Sequence, residues 1–525
     1  MNILDFSIIV LYLSALLVLG FMLRSQNSKS EYFLGGKTLG WKPLSLSVMA
    51  TQLSAISFVS APAFVGLREG GGLQWLSYEL GVPLAMIVIL ATVLPALYRS
   101  GVVSIYDFLE LRFGRSTRVL ISIVFQFSRA FATGIMIYAV SIILQGTMGI
   151  AAWQAVVLTG VITVLYSLQG GMKAVVYGDA IQMVIIVAGT IACIGFGLYY
   201  LGGIDAFVEQ VDPSRLQAIK FDSYGLSGDG FGFLPMIFGG VVLYASYYGC
   251  DQTQAQRALA AKNPEHLRYM VLANGVIRFP ITLLYCFSGL IVGTLALSDA
   301  SFLAQIPADN PDWMMPVFIL NYLPHGLIGL LVVAILAAAM SSLSSAINSL
   351  AAVSLEDYCR IANKELDQER YLSLAKYLGL AWGGVTLLFS LYAGNIAPTV
   401  IEAINKVGSL FYGPILAVFL LAVLHKKSRA LHVNLGLVAG VLCNLLVLLL
   451  LPNVFWFWWN FIGFSVAVVV AMFTSQLFNV NSEQRSLEPT TGLVEQSILT
   501  RRDLIVLLGM FAIMVGICLT IPYLF

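Results

Sequence analysis

The sequence predicts an all-α polytopic membrane protein with about fourteen transmembrane helices. Of its 525 residues, 59% are hydrophobic and only 10% are charged, whereas a soluble domain has roughly 25% charged residues. The hydrophobic residues fall into long runs, each sufficient for a helix of ~20 residues that spans a bilayer. Lys and Arg accumulate in every second loop between these runs, as they do in loops on one side of a membrane.

Division of the apolar runs at Gly, Pro and charge clusters gives the individual spans. They are predicted over residues 4–23, 41–66, 74–98, 117–148, 152–168, 178–201, 232–252, 267–297, 326–353, 372–393, 398–424, 431–450, 455–476 and 503–524. The stretch 478–502 is polar and is expected to be a cytoplasmic linker before the last helix.

The charge distribution predicts the orientation of the chain. Most of the 28 Lys and Arg residues lie in alternate loops, whereas the loops between them hold only Arg68, Arg215 and Lys220. Basic loops are cytoplasmic by the positive-inside rule. We therefore expect a multi-pass protein of the plasma or bacterial inner membrane with both termini outside. The formal net charge of +1 gives no indication of a nucleic-acid partner.

Two of the spans are expected to be interrupted inside the membrane. The second span has small and polar residues from Thr51 to Ser57, and the seventh has Gly239-Gly240 and runs on to Asp251. Interrupted helices in corresponding positions predict an inverted repeat of five plus five helices. The expected division is a leading helix and first cytoplasmic loop, a first repeat, an external loop, a second repeat and three trailing helices, over residues 1–40, 41–201, 202–231, 232–425 and 426–525.

Few ionisable residues lie within the predicted spans. A charge in the bilayer costs at least ~2.5–3.5 kcal/mol, so each such residue is a functional candidate. Glu402 and Lys406 stand four apart on one helix and are expected to form a structural ion pair. Arg278 has no local partner and is expected to reach a neighbouring carbonyl or carboxylate in a structural role. The candidates are Glu79, Arg129, Asp179, Arg278, Glu402 and Lys406.

The ninth span contains the richest group of hydroxyl side chains. Ser341, Ser344 and Ser345 share one helical face, and Ser342 lies on its flank. Such hydroxyls, with carbonyls freed where a serine bonds back into the helix, form a set of hard oxygen ligands. Asp179 is expected at a similar depth in the membrane, and a carboxylate with hydroxyls suits sodium. The sequence alone does not bring these groups into contact.

Three motifs resemble the sodium/solute symporter family, whose members include sodium–glucose, sodium–iodide and sodium–sialic acid symporters. They are the stretch 170–182 (GGMKAVVYGDAIQ), the stretch 338–345 followed by Asn348-Ser349, and the stretch 413–419 (GPILAVF). Weaker matches lie at 32–36 and 107–114. The resemblance covers essentially the whole chain. It implies a LeuT-like core of ten helices, with one helix before the core and three after it.

The resemblance also implies binding residues for the coupling ion Na⁺ and for a solute. The family's common sodium site falls on Ala50, Leu53, Ala338, Ser341 and Ser342. A second sodium site, found in some members, falls on Asp179, Ser341, Ser344 and Ser345. Transport with either one or two sodium ions is therefore open. The solute positions fall on Gln52, Ser54, Ser57, Trp75, Glu79, Arg129 and Tyr247.

The implied function is sodium-coupled symport of a small polar organic solute by alternating access, by a protein that acts as a monomer and is not an enzyme. Arg129 resembles the carboxylate-binding Arg of sialic-acid relatives, and Glu79 resembles the hydroxyl-binding Glu of sugar relatives. The sequence favours a carboxylate-bearing solute, such as a sialic acid or a monocarboxylate, with a sugar or polyol as the alternative. Arg129 would pair with the solute in the first case and with Glu79 in the second. A sodium-linked channel or sensor is the alternative from a different class.

Overall fold

The computed structural model describes residues 1–23, 28–53, 55–228, 230–308, 310–362, 366–392, 400–478 and 497–525. These residues are mostly helical. The α-helices are α1 (Ile3–Met22), α2 (Lys29–Leu34), α3 (Trp41–Gln52), α4 (Ala55–Gly66), α5 (Gly81–Ala91), α6 (Val93–Ser100), α7 (Ile105–Phe113), α8 (Arg115–Met148), α9 (Ala152–Leu201), α10 (Ile204–Gln210), α11 (Phe233–Cys250), α12 (Gln252–Leu259), α13 (Pro264–Ser298), α14 (Ala300–Leu303), α15 (Met314–Tyr322), α16 (Leu327–Ile361), α17 (Gln368–Tyr392), α18 (Val400–Leu424), α19 (Ala430–Leu450), α20 (Trp456–Leu477) and α21 (Arg501–Thr520).

The described helices confirm a polytopic membrane protein. Twelve of them are long and apolar enough to cross a membrane, or thirteen if one bent pair is counted as a span. The predicted spans 152–168 and 178–201 are the two arms of the single helix α9, and this count includes only its arm Gly171–Leu201. The arms meet at Gly171, whose φ of 53° and ψ of −149° are accessible to glycine because it lacks a Cβ.

Both spans are interrupted, although α11 is continuous through Gly239-Gly240 and the second break lies at Asp251. α3 ends at Gln52 and α4 begins at Ala55, and the two halves of this span are bent by 55°. In the corresponding place, α11 ends at Cys250 and α12 begins at Gln252, because Asp251 between them has extended backbone angles of −99° and 123°. Each interruption leaves backbone groups without an intrahelical partner, which is how broken helices build binding sites in transporters.

Close backbone contacts hold the helices around the first interruption. A Cβ added at Gly293 of α13 would lie 2.3 Å from the Cα of Gly66 in α4. One turn away, a Cβ at Gly289 would lie 2.6 Å from the Cα of Pro62. Small residues permit such approach between helices in a membrane. The second half of the broken span therefore packs directly on α13.

Several cations that the sequence analysis counted as loop residues are buried. Arg118 is 1% exposed and contacts the carboxylates of Asp107 at 2.5 Å and Asp357 at 2.9 Å. Arg257 is also 1% exposed and belongs to α12. Their assignment to cytoplasmic loops was wrong, because Arg118 lies in the first turn of α8 and Arg257 lies in the last turn of α12.

Two predicted features lie largely outside the described residues. The linker 478–502 is described only at its two ends. The side chain of Glu402 is not described, whereas Lys406 is exposed. The predicted ion pair between them therefore stays a prediction.

We call the side of the bundle with the loops 202–231 and 299–312 the acidic face, and the opposite side the basic face.

Candidate functional site

A central cavity of about 100 Å³ lies beside the interruption between α3 and α4. The broken span, the third span and the helices α8, α11, α13 and α18 all contribute side chains to it. Six of the seven residues expected to bind solute line this cavity, and the seventh, Ser54, lies outside the described residues. The six are Gln52, Ser57, Trp75, Glu79, Arg129 and Tyr247.

A layer of aromatic side chains separates this cavity from the acidic face. Trp75 stacks on Tyr78 with ring centroids 4.9 Å apart, and Tyr78 packs edge-on against Phe457 at 5.1 Å. The Tyr78 hydroxyl donates a hydrogen bond of 3.0 Å to Asn405 Oδ1. Beyond the layer is a vestibule of about 630 Å³, and Phe231 is one of the residues that line it. The cavity is thus closed on this side by rings that must move for a solute to pass.

Glu79 is held by an arginine that the sequence analysis left without a partner. Arg278 donates hydrogen bonds to both carboxylate oxygens of Glu79, one of them 3.0 Å long. The same guanidinium donates to the hydroxyls of Tyr248 at 3.3 Å and Tyr244 at 3.2 Å. The expectation that Arg278 reaches a neighbouring carboxylate is thereby confirmed. Glu79 is engaged and is not a free acceptor in the cavity.

Arg129 forms the floor of the cavity, on its basic side. Its Nη2 forms an ion pair with Oδ2 of Asp251, at the interruption between α11 and α12. The rings of Tyr247 and Tyr412 flank the guanidinium, with Tyr247 5.3 Å from it. The alternative in which Arg129 pairs with Glu79 was wrong, because Glu79 and Arg129 each take a different partner.

Two buried donors that line the cavity lack an acceptor. Gln52 accepts a hydrogen bond of 2.7 Å from the Tyr248 hydroxyl through Oε1, which leaves its amide nitrogen Nε2 unpaired. Nε of Arg129 is also buried without a hydrogen bond of normal geometry among the described residues, although the hydroxyls of Tyr247 and Tyr412 neighbour the guanidinium. A buried donor without an acceptor is costly. The cavity is therefore suited to a molecule that brings acceptor oxygens.

The residues expected to form the common sodium site meet where α3 ends. Ala50 is buried in the last turn of α3 and Leu53 directly after that turn, and Ser342 of α16 donates a hydrogen bond of 3.2 Å to the carbonyl of Thr51. The Ser341 hydroxyl is buried without a hydrogen bond of normal geometry. Ala338 lies on the same helix, but its side chain is not described. The carbonyl end of a helix carries partial negative charge, so this junction suits a cation.

The residues expected to form the second sodium site also converge, around one carboxylate. Oδ2 of Asp179 accepts a hydrogen bond of 2.6 Å from Ser47 and a contact of 3.5 Å from Thr51. The Thr51 hydroxyl lies 3.0 Å from that of Ser345. Ser344 is buried one position earlier, and its hydroxyl donates instead to the carbonyl of Ser341 at 3.0 Å. Asp179, Ser341 and Ser345 thus share one buried polar cluster, whereas the described hydrogen bond of Ser344 stays within α16.

Arg257 enters this cluster, which the sequence analysis did not foresee. Its Nη2 lies 2.7 Å from Oδ2 of Asp179 and also donates to the Ser345 hydroxyl, while its Nε donates to Ser47 at 2.6 Å. Asp251 was missed in the same way. Both residues flank or belong to α12, and the signal that could have found them is the polar composition of 251–257 (DQTQAQR) directly after an apolar helix.

This architecture, with two interrupted helices around a closed cavity and an oxygen-rich cluster beside it, defines an ion-coupled secondary transporter. The family model "sodium:solute symporter family" matches residues 32–440. The chain belongs to the sodium:solute symporter family.

Known relatives agree with this assignment. The chain is 28% identical over 424 residues to the sodium-coupled monocarboxylate transporter 2 of Bos taurus, covering 80% of this chain and 68% of that protein. It is 28% identical over 428 residues to the sodium/iodide cotransporter of Homo sapiens, covering 81% and 66% respectively. A solved structure of a Na⁺-coupled sialic acid symporter, in a substrate-bound outward-open state, superposes with a TM-score of 0.82 at 22% identity, covering 91% of this chain and 98% of that one. The fold is LeuT-like, the coupling ion is sodium, and the protein is a transporter and not an enzyme.

Proposed function

We propose that this symporter imports a small monocarboxylate together with sodium by alternating access. One observation carries the proposal: the unpaired buried groups of the cavity, Gln52 Nε2 and Arg129 Nε, are N–H donors. A carboxylate supplies two acceptor oxygens, and hydrogen bonds to a charged group are worth roughly 1.5–3 kcal/mol. A guanidinium also binds a carboxylate with defined geometry.

The size of the cavity supports a solute of few atoms. Its volume of about 100 Å³ is well below the ~300–1,000 Å³ of typical sites for larger ligands. This favours a simple monocarboxylate over a sialic acid. Two of the relatives are named for monocarboxylates and for iodide, and both names denote monovalent anions.

The sugar or polyol alternative depends on Glu79 as an acceptor for solute hydroxyls. Both of its carboxylate oxygens already accept hydrogen bonds from Arg278. A sugar would have to compete with a guanidinium for them, so this arrangement disfavours the alternative. A sodium-linked channel is disfavoured by the aromatic layer over the cavity and the Arg129–Asp251 pair beneath it.

For the coupling ion, we assign the common site to carbonyl and hydroxyl oxygens of Ala50, Leu53, Ala338, Ser341 and Ser342. The second site would comprise Asp179, Ser341, Ser344 and Ser345. The support is chemical: unwound carbonyls and helix ends coordinate Na⁺ in transporters of this architecture. We further propose that the protein acts as a monomer in a cell membrane, with the basic face in the cytoplasm and both termini outside.

Uptake into proteoliposomes tests the proposed solute. Labelled monocarboxylates of two to four carbons should accumulate only with an inward sodium gradient, and unlabelled monocarboxylates should compete while uncharged polyols should not. Arg129→Gln should abolish this uptake, whereas Arg268→Gln, which alters an arginine 3.8 Å from Asp503 and away from the cavity, should leave it intact. Competition by polyols without competition by monocarboxylates would contradict the proposal.

A further inference from the structure

The short helix α12 carries an ion pair at each end. Asp251, the residue before its first turn, pairs with Arg129, and Arg257 in its last turn pairs with Asp179. Asp251 and Arg257 are six residues apart in sequence, which corresponds to about 9 Å of helix. One rigid element therefore connects the floor of the solute cavity with the polar cluster beside the sodium residues.

The first ion pair leaves Arg129 able to change partner. Asp251 is anchored to α12, because its Oδ1 accepts a hydrogen bond of 2.8 Å from the backbone N–H of Thr253. Arg129 contacts its Oδ2 through Nη2 alone, and Nε of Arg129 forms no hydrogen bond of normal geometry among the described residues, although the Tyr247 and Tyr412 hydroxyls are neighbours of the guanidinium. A solute carboxylate in the cavity would compete with Asp251 for the same guanidinium.

In the second ion pair, the Arg257 guanidinium lies where a bound cation would neutralise Asp179. Asp179 and Arg257 are 0% and 1% exposed, and the guanidinium donates to Ser47, to Ser345 and to Asp179. The other carboxylate oxygen, Oδ1 of Asp179, forms no hydrogen bond of normal geometry among the described residues, although the Ser341 hydroxyl is its neighbour. A single buried carboxylate neutralises one cation. Sodium and Arg257 are therefore competing occupants of this cluster.

We propose that α12 is the element that couples sodium binding to solute binding. Sodium takes Asp179 from Arg257, the solute takes Arg129 from Asp251, and only the loss of both ion pairs frees α12 to move. The solute half of this mechanism rests on the proposed solute, and the sodium half rests separately on the sodium site proposed at Asp179. Because coupling between two binding sites is reciprocal, each ligand should raise the affinity for the other by the same factor.

The sodium half is tested with sodium alone, on purified protein in detergent. Arg257→Gln removes the competing cation and leaves Asp179 without a counter-ion. We expect thermal stability to fall in potassium buffer and to recover with sodium, with a half-saturating sodium concentration at least threefold lower than that of the wild type. If Arg257→Gln does not fold, Arg257→Lys replaces it, with the same direction and a smaller shift.

The solute half uses Asp251→Asn, which keeps a side chain able to cap α12 and removes the charge that holds Arg129. A monocarboxylate such as lactate should then bind at least threefold more tightly in the absence of sodium. The factor by which sodium raises the affinity for lactate should fall toward one. In the double variant with Arg257→Gln the two effects should not add, because both act through the same helix.

The matched control is Arg268→Gln, which alters another arginine beside an aspartate, outside this network. It should reproduce the wild-type sodium and lactate affinities. A wild-type sodium affinity in folded Arg257→Gln would overturn the competition at Asp179. A wild-type coupling factor in folded Asp251→Asn would overturn the role of α12. A failure of every monocarboxylate to bind the wild type would instead refute the proposed function and leave the sodium result standing.

Discussion

Arg278 and Glu79 form a buried ion pair whose partners depend on each other. Arg278 is 6% and Glu79 is 1% exposed. Removal of one member of such a pair strands the other charge, which typically costs about 3–5 kcal/mol. Arg278 also donates hydrogen bonds to the hydroxyls of Tyr244 and Tyr248 at the edge of the cavity. The pair thus contributes to the shape of the solute site as well as to its stability.

Glu79→Gln should therefore destabilise the protein strongly, by about 3–5 kcal/mol, and Glu79→Gln with Arg278→Gln should recover part of this loss. Thermal unfolding in detergent measures both. The control is Asp367→Asn, whose partner Arg370 is 81% exposed, because an exposed pair contributes about 1 kcal/mol or less. Equal effects of Glu79→Gln and Asp367→Asn would show that the buried pair is not structurally important.

Ser341 and Ser342 give a second prediction at the level of single residues. If their oxygens bind sodium, replacement by Ala should raise the half-saturating sodium concentration about tenfold, since the loss of one ligand worth ~1.4 kcal/mol changes an affinity by that factor. Sodium titration of transport or of thermal stability measures it. Ser288→Ala, in a buried serine of α13, should leave the sodium dependence unchanged. An unshifted sodium dependence in folded Ser341→Ala and Ser342→Ala would remove the common site from these residues.

At the level of helices, the contact between α4 and α13 depends on the absence of side chains. A Cβ at Gly293 would lie 2.3 Å from Gly66 Cα and 2.6 Å from its carbonyl oxygen. Gly293→Val should therefore separate the helices, and overpacking of this kind costs about 1–3 kcal/mol. Gly516→Val in α21, where a Cβ would meet no atom within 4 Å, should cost less. Thermal unfolding compares the two, and equal losses would contradict the packing argument.

The turn Pro311–Trp313 contacts α4 and contains Asp312, whose charge depends on pH. Burial raises the pKa of Asp312 to about 6, and a hydrogen bond from Ser60 of α4 only partly offsets this. An unfolded Asp has a pKa of about 3.9, so the folded state binds more protons between these values. Stability should therefore fall as pH rises from about 4 to about 6.

Asp312→Asn should remove this dependence and stabilise the protein at pH 7.5. Asp299 provides the comparison of opposite sign, because hydrogen bonds from Tyr322 and Ser301 lower its pKa to about 2. Asp299→Asn should therefore lose stability at pH 7.5. Unfolding temperatures between pH 5 and pH 8 measure both variants, and a stabilised Asp299→Asn or a destabilised Asp312→Asn would contradict the assigned signs.

The helices and their interruptions could be predicted because each depends on local composition. The polar residues between Thr51 and Ser57 weaken one apolar run, and the bend occurs there. The ion pairs could not be predicted in this way. Glu79 and Arg278 are 199 positions apart, and their pairing depends on how the helices pack. Arg257 was missed because a cation after an apolar run has the same local pattern whether it lies in solvent or folds back under the bundle.

For the whole molecule, the distribution of Lys and Arg predicts that both termini lie outside the cell. A reporter fused after Phe525 that is active only outside the cytoplasm should be active, and one that requires the cytoplasm should not. Fusion after Arg429, in the short connection between α18 and α19 on the basic face, serves as the control and should give the reverse result. A cytoplasmic reporter active at Phe525 would contradict the predicted orientation or require an odd number of spans.

The three buried ion pairs near the cavity also have an electrical consequence. Arg129, Arg257 and Arg278 are each matched by one carboxylate, so this part of the empty protein carries no net charge. Movement of a charge through the membrane field changes its energy by ~2.3 kcal/mol per 100 mV, whereas a neutral pair contributes little. Return of the empty carrier should thus be nearly independent of voltage, and the membrane potential should act on the steps in which sodium enters and leaves.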